Sequence, residues 1–237
     1  MSTSKQKNKE AAKIREVKPE IRVLGIDDGV FTPHSEELVD VVGVVFRGGY
    51  WLDGFMHTQV QVDGMDATER LTRMIMESPH YQQLRVIMLN GVTLAGFNVV
   101  DITELHKNTE LPVIAVTRDN PNFEDIRKAL RNLPQMEERW KAIEKAGRIL
   151  RVRTRKEEDL IYAHAVGISE ETTERILKST STRSNIPEPL RVAHIIASGL
   201  RCSNRSSASM IRGNEKKFKR AGIKDERTDY ENARATV

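Results

Sequence analysis

Apolar positions along the chain fall into short continuous runs divided by loops rich in glycine and charge. Arg22 to Ile26, Val39 to Phe46, Arg85 to Leu89 and Val113 to Val116 each have the length and composition of a buried strand. Gly48-Gly49-Tyr50-Trp51 supplies a hairpin turn leading into a further strand over Asp53 to Val62, so the first three strands read as an antiparallel meander. Helical spacing takes over after Asp66, at Leu71, Met74 and Ile75, and again at Val99, Ile102 and Leu105. Helices near 122 to 132 and 135 to 146, a basic strand from Arg148 to Arg155, a strand from Leu160 to Ala165 and two more helices complete the pattern.

A helix between two strands carries the chain back across the sheet, so the strands at Arg85 and Val113 should lie parallel to the first. Three antiparallel strands followed by parallel strand-helix units predict an α/β fold: a ribonuclease H-like mixed sheet flanked by helices. No internal repeat interrupts this order. The Lys18-Pro19 bond marks the start of the ordered domain, assigned to residues 19–200. Residues 1–18 read as a basic flexible arm, and 201–237 as a polar tail that is disordered or only partly helical.

Composition removes several classes. At 237 residues with 38% hydrophobic content, no run approaches the roughly 20 apolar residues of a membrane span, and no apolar signal segment opens the chain. The expectation is a soluble, cytoplasmic protein without a membrane partner. A single cysteine, Cys202, permits neither an internal disulfide nor a thiolate zinc cluster. There is no GxGxxG, no GxxxxGK[ST] and no Ser-His-Asp order, so no nucleotide cofactor is indicated. The net charge of +4 decides little, but its distribution is uneven. Residues 118 to 156 hold twelve Lys and Arg against half as many acids, and Arg148-Ile149-Leu150-Arg151-Val152-Arg153-Thr154-Arg155 reads either as a cationic strand following a phosphate backbone or as an edge strand guarded by charge.

Candidate chemistry begins at Gly25-Ile26-Asp27-Asp28-Gly29, where an apolar strand ends in two carboxylates. Strand ends of open α/β sheets hold metal and phosphate chemistry, and two-metal phosphodiester hydrolysis needs carboxylates converging from separate elements. Asp66 and the strand ending Met88-Leu89-Asn90-Gly91 are the natural partners. Asp28 points to the opposite face from Asp27 if the strand continues, and so holds a loop or a ligand's neighbour. Asp66 serves either as a ligand or as a helix cap, because Asp66-Ala67-Thr68-Glu69 is also a capping sequence. Gly91 to Gly96, with Thr93, offers small residues at a helix start, suited to a phosphate or a flipped base, or simply to a tight turn. Tyr50 and Trp51 at the hairpin tip either wedge into opened DNA or pack on a neighbour. Asn98 either reads a uracil edge or caps a helix. His164, at the end of an apolar strand, either handles a proton or is satisfied by backbone. His194 falls within an apolar helix opened by Pro187-Glu188-Pro189 and is assigned an architectural role outside the site.

Four ordered blocks carry a family resemblance. Lys18-Pro19-Glu20-Ile21-Arg22-Val23-Leu24-Gly25-Ile26-Asp27-Asp28-Gly29, Val62-Asp63-Gly64-Met65-Asp66-Ala67-Thr68-Glu69, Gly91-Val92-Thr93-Leu94-Ala95-Gly96-Phe97-Asn98-Val99-Val100-Asp101 and Ile186-Pro187-Glu188-Pro189-Leu190-Arg191-Val192-Ala193-His194 resemble the archaeal endonuclease dU family over about residues 18 to 200. That family is similar to endonuclease V, the nuclease of deaminated bases. The resemblance implies a ribonuclease H-like fold, a magnesium requirement for which manganese substitutes, and cleavage of DNA near deoxyuridine to leave 3′-hydroxyl and 5′-phosphate ends. Carried over, it implies Asp27 as the leading metal ligand and catalytic acid, Asp66 near the place of the second acid, and His164 near the late histidine. The chain departs at Asn90, where endonuclease V has an aspartate before the glycine. A neutral amide coordinates but adds no charge, so Asp101, with Asp28 or Glu69 behind it, is the compensating candidate. Alternative expectations are a catalytically weak nucleic-acid-binding protein and an RNA nuclease acting at inosine.

Overall fold

Three strands open the sheet in the computed structural model, which describes residues 17–155 and 160–209, the side chains of 201–209 excepted. β1 (Arg22–Asp28), β2 (Leu38–Arg47) and β3 (Trp51–Gln61) pair antiparallel in succession, as the sequence predicts. α1 (Ala67–Met76) returns the chain to β4 (Val86–Asn90), and α2 (Ile102–Thr109) leads to β7 (Val113–Thr117). Both strands run parallel to β1, and the first two are buried on both faces, which is why their sequences read as unbroken apolar runs. β8 (Leu150–Arg153) and β9 (Leu160–Val166) finish the sheet, in the order β3-β2-β1-β4-β7-β9-β8.

One face of this sheet packs Leu24, Ile26 and Leu89 against Leu71, Ile75, Ile102 and Leu105 of α1 and α2. α3 (Phe123–Leu130) and α4 (Met136–Lys145) contribute Ile126, Leu130 and Ile143 to the same cluster. The opposite face packs Val23, Met88, Ile114 and Val116 against α5 (Glu170–Thr180) and the start of α6 (Glu188–Ser209). Ala193 and Ala197 of α6 lie on Val42, Val44 and Phe46 of β2.

Two expectations change. The stretch 91 to 99 does not enter a helix: β5 (Thr93–Leu94) and β6 (Asn98–Val99) form a small hairpin, and α2 starts only at Ile102, capped by Asp101. Positive φ at Gly91, Ala95 and Gly96 turns the chain back on itself there, which a helix start cannot do. The basic strand is shorter than its alternation suggests, Leu150–Arg153, and it is the sheet's outer edge, with Arg151 and Arg153 exposed and Val152 buried. Lys156 and most of the predicted arm and tail lie outside the described residues, while α6 continues past residue 200 to Ser209.

Candidate active site

The carboxyl ends of β1, β4 and β7 lie side by side, and α6 packs against β1 and β2 next to them. Its course is dictated by glycine. A Cβ on Gly25 would stand 2.4 Å from the Pro189 carbonyl carbon, and one on Gly29 would stand 2.9 Å from the Ala197 carbonyl oxygen. Eight helical residues advance about 12 Å and four strand residues about 13 Å, so α6 runs along β1 in the same direction. The residues midway between these two contacts therefore face Asp27, and His194 is one of them.

Asp27 is 1% exposed. Its Oδ1 accepts from the Asp28 backbone N–H at 2.9 Å, and its Oδ2 accepts from Asn90 Nδ2 at 3.1 Å. His194 Nδ1 lies 2.9 Å from the same Oδ2, with its side chain 60% exposed against 2% for Asp27. The hydrogen bond to Asp27 raises the imidazole's pKa above its ordinary value, against the opposing effects of burial and of the Arg118 charge. Around these groups opens a crevice of about 420 Å³, with Arg118 and Ser198 on its polar side and Phe31 and Pro33 on its apolar side. Gly91 lines it too, its N–H held by the Val116 carbonyl at 2.8 Å.

Asp28 faces the other side of the sheet, as alternation requires, although it also borders the crevice. Its Oδ2 accepts from the Ala95 N–H at 2.7 Å, pinning the turn of the β5-β6 hairpin. Ala95 and Asp63 both have left-handed backbone (φ 46° and 51°), and the Asp63 N–H donates to the Ala95 carbonyl at 2.9 Å. Arg139, 1% exposed, donates to the carbonyls of Asp63, Gly64 and Pro134 at 2.6, 2.8 and 2.9 Å and to that of Phe97 at 2.5 Å, fastening α4 to these turns.

The remaining candidates lie elsewhere. Asp66 stands at the start of α1 but makes no side-chain cap bond. Its carboxylate instead accepts from Asn98 Nδ2 at 2.7 Å and from the Gln61 N–H at 3.2 Å, and it pairs with Arg70. Asn98 is fully buried, its oxygen accepting from Ala67 N–H and its amide also donating to the Gln61 carbonyl, so no edge is left to read a base. Thr93 is buried in β5, and Glu69 pairs with Arg73 on the surface of α1. Asp101 accepts from the N–H groups of Thr103 and Glu104 and pairs with Lys145 at 2.7 Å: it is a helix cap with a lysine partner, not a fourth oxygen in the crevice. His164 is buried in β9 with Nδ1 3.1 Å from the Gly147 carbonyl, and burial lowers its pKa. Tyr50 and Trp51 are exposed and stand at the opposite end of the sheet from Asp27, since Trp51 pairs with Arg47 and Arg47 with Arg22 at the start of β1.

Sequence reasoning thus missed His194 and the placement of Arg118. The legible signal was spacing: Gly25 and Gly29, four strand residues apart, match Pro189 and Ala197, eight helical residues apart, the pattern of a helix lying close along a strand. Among the described residues no group of three His, Cys, Asp or Glu side chains converges as a metal cluster. The crevice nevertheless suits one hard cation. Magnesium needs only one or two protein carboxylates beside waters and substrate phosphate, and Asp27 supplies one carboxylate at the crevice, with the Asn90 amide turned to donate its N–H to it.

Comparison with known proteins agrees with this architecture. The sequence model of the endonuclease dU family matches residues 19–201. A UPF0215 protein of Methanothermobacter thermautotrophicus is 54% identical over 187 residues, which is 78% of this chain and 90% of that protein. The crystal structure of a protein of unknown function from Archaeoglobus fulgidus superposes with a TM-score of 0.68 at 37% identity, covering 76% of this chain and 98% of the other. Endonuclease V from Streptomyces avermitilis gives a TM-score of 0.52 at 13% identity over 80% of this chain and 84% of its own. That last likeness concerns the fold alone: a mixed sheet flanked by helices, of ribonuclease H-like and endonuclease V-like architecture. No helix among the described residues is long and apolar enough to cross a membrane.

Proposed function

The chain belongs to the endonuclease dU family, and from that premise and the geometry of the crevice we propose that it is a magnesium-dependent endonuclease cutting DNA at or near deoxyuridine. One observation carries the reading: a buried carboxylate at the end of the central strand shares one oxygen with an amide and an imidazole, in a crevice that also holds an arginine. Asp27 would hold the cation, with the Asn90 amide beside it, and the cation would supply Lewis-acid stabilisation of the phosphate. His194 is oriented by Asp27 and lines the crevice, where it can supply a proton to a leaving 3′-oxygen. Arg118 neutralises the phosphate from the β7 side. Gly91 adds no side chain to the crevice lining, which leaves room for a substrate backbone.

The same amide at Asn90 favours a second reading, a nucleic-acid-binding protein of this fold with little turnover, because it removes a negative charge from the cation's ligands. End-labelled DNA with a single deoxyuridine, beside deoxyinosine, undamaged and ribonucleotide-containing controls, separates the two. Nicking confined to deoxyuridine, present with magnesium or manganese and abolished by chelator, is the expected result. Salt-dependent binding without nicking under every metal condition would establish the second reading.

A further inference from the structure

The sheet has two edges of opposite character. β8 is four residues long and carries exposed Arg151 and Arg153, the usual device against edge-to-edge pairing. β3 is 11 residues long, contains no lysine, arginine or proline, and among the described residues no strand pairs with its outer side. Its one carboxylate, Asp53, is taken up by Arg22 and Arg47 at 3.6 and 3.4 Å, and its histidine, His57, pairs with Asp40 at 2.8 Å. Ten large apolar side chains are well exposed among the described residues, and four of them, Tyr50, Trp51, Leu52 and Phe55, fall in six consecutive positions at the head of this strand.

We propose that the β3 edge, with Tyr50, Trp51 and Phe55 beside it, is a self-association surface on which a second copy of this chain pairs its own β3 antiparallel across a twofold axis. Charge selects the occupant. The edge presents no net charge to a polyanion, so nucleic acid gains nothing there, and the cationic β8 edge offers it a short strand of four residues. An identical β3 offers equal length and no opposing charge, and an isologous contact closes on itself. Past the irregularity opposite Val45 and Phe46, Gly54–Gln61 keeps regular register, so about 27 Å of strand is available. Strand pairing by itself covers little area, but three aromatic side chains, each with about two thirds of its surface still exposed, add apolar area toward the ~800 Å² per partner of a stable interface. The inference does not depend on the catalytic reading.

The test is the mass of the full chain by light scattering across a range of concentrations, with hydrogen exchange read on the same samples. A dimer is expected, with concentration-dependent protection of Gly54–Gln61 amides and none on Leu150–Arg153. The double variant Trp51→Lys, Phe55→Lys, at positions exposed enough to leave the fold intact, should weaken dimerisation by about a hundredfold, whereas Arg151→Ala should leave it unchanged. A monomer at all concentrations, or a dimer that survives the double variant, would overturn the proposal. Cleavage by the monomeric double variant should persist, which separates this surface from the crevice.

Discussion

The two ends of the central sheet are built to different rules. At the carboxyl end of β1, polar groups are buried and nearly every partner comes from far along the chain: Asn90 lies 63 residues from Asp27, Ala95 67 residues from Asp28, and His194 167 residues from Asp27. At the other end, where β1 begins, the hairpin leaves Tyr50 at 72% exposure and Trp51 at 61%, while its glycines are anchored, Gly48 to the Ile21 carbonyl and the Gly49 carbonyl to the Thr182 hydroxyl. Buried polar groups are costly unless partnered, so the first end tolerates few substitutions. Exposed aromatics carry no such penalty, and the second end is free to serve a surface role.

Replacing Asp27 with Ala tests the contrast most severely. Cleavage at deoxyuridine should fall to background while circular dichroism stays native, and retained activity would move the reaction out of the crevice altogether. His194→Ala should lower kcat by about a hundredfold with the DNA dissociation constant little changed. An unaltered kcat would return His194 to the architectural role its helix first suggests. Asp28→Ala leaves the Ala95 N–H without its acceptor, so thermal or denaturant unfolding should report a loss of about 2 kcal/mol, with Asp28→Asn milder.

A smaller, pH-dependent effect attaches to Asp40 on β2. Burial pushes its carboxyl up, but hydrogen bonds from Gln59 and His57 outweigh that and hold its pKa below the ordinary value. A depressed folded-state pKa means that this stabilisation is complete above the ordinary carboxylate range and is lost as pH falls below it. Asp40→Asn should therefore cost about 1 kcal/mol at neutral pH and less in acid, measured as unfolding free energy against pH. Least of all, Tyr50→Ala with Trp51→Ala should leave the cleavage rate within about twofold, the size of ordinary surface substitutions. A large loss of cleavage would show that the hairpin end reaches the substrate and would dissolve the distinction between the two ends.

Much of this was legible in the residues alone. β1, β2, β4 and β7 are runs of Val, Ile and Leu, and a strand buried on both faces has no other way to read. The helices before β4 and before β7 made those two strands parallel to β1, and Asp27 followed as the acid at a strand end inside the sheet. The alternation of a strand likewise placed Asp28 on the face opposite Asp27, where it holds the β5-β6 turn. Less was legible at 91 to 99, where Val99, Ile102 and Leu105 have helical spacing, yet three positive φ angles make a hairpin of the first part. Asp66, Asn98 and Asp101 have the chemistry of ligands, but they do not line the crevice and bind Gln61, Ala67, Thr103 and Glu104 instead, a placement not visible until the chain is folded.

Local sequence determined which segments became strands and helices, because burial and backbone preference act within a few residues. Which of the polar side chains came to line the crevice was decided by the tertiary structure. Satisfying a buried donor is a matter of distance in space, and the approach of α6 to Gly25 and Gly29, which sets His194 on Asp27, joins residues that no local pattern relates.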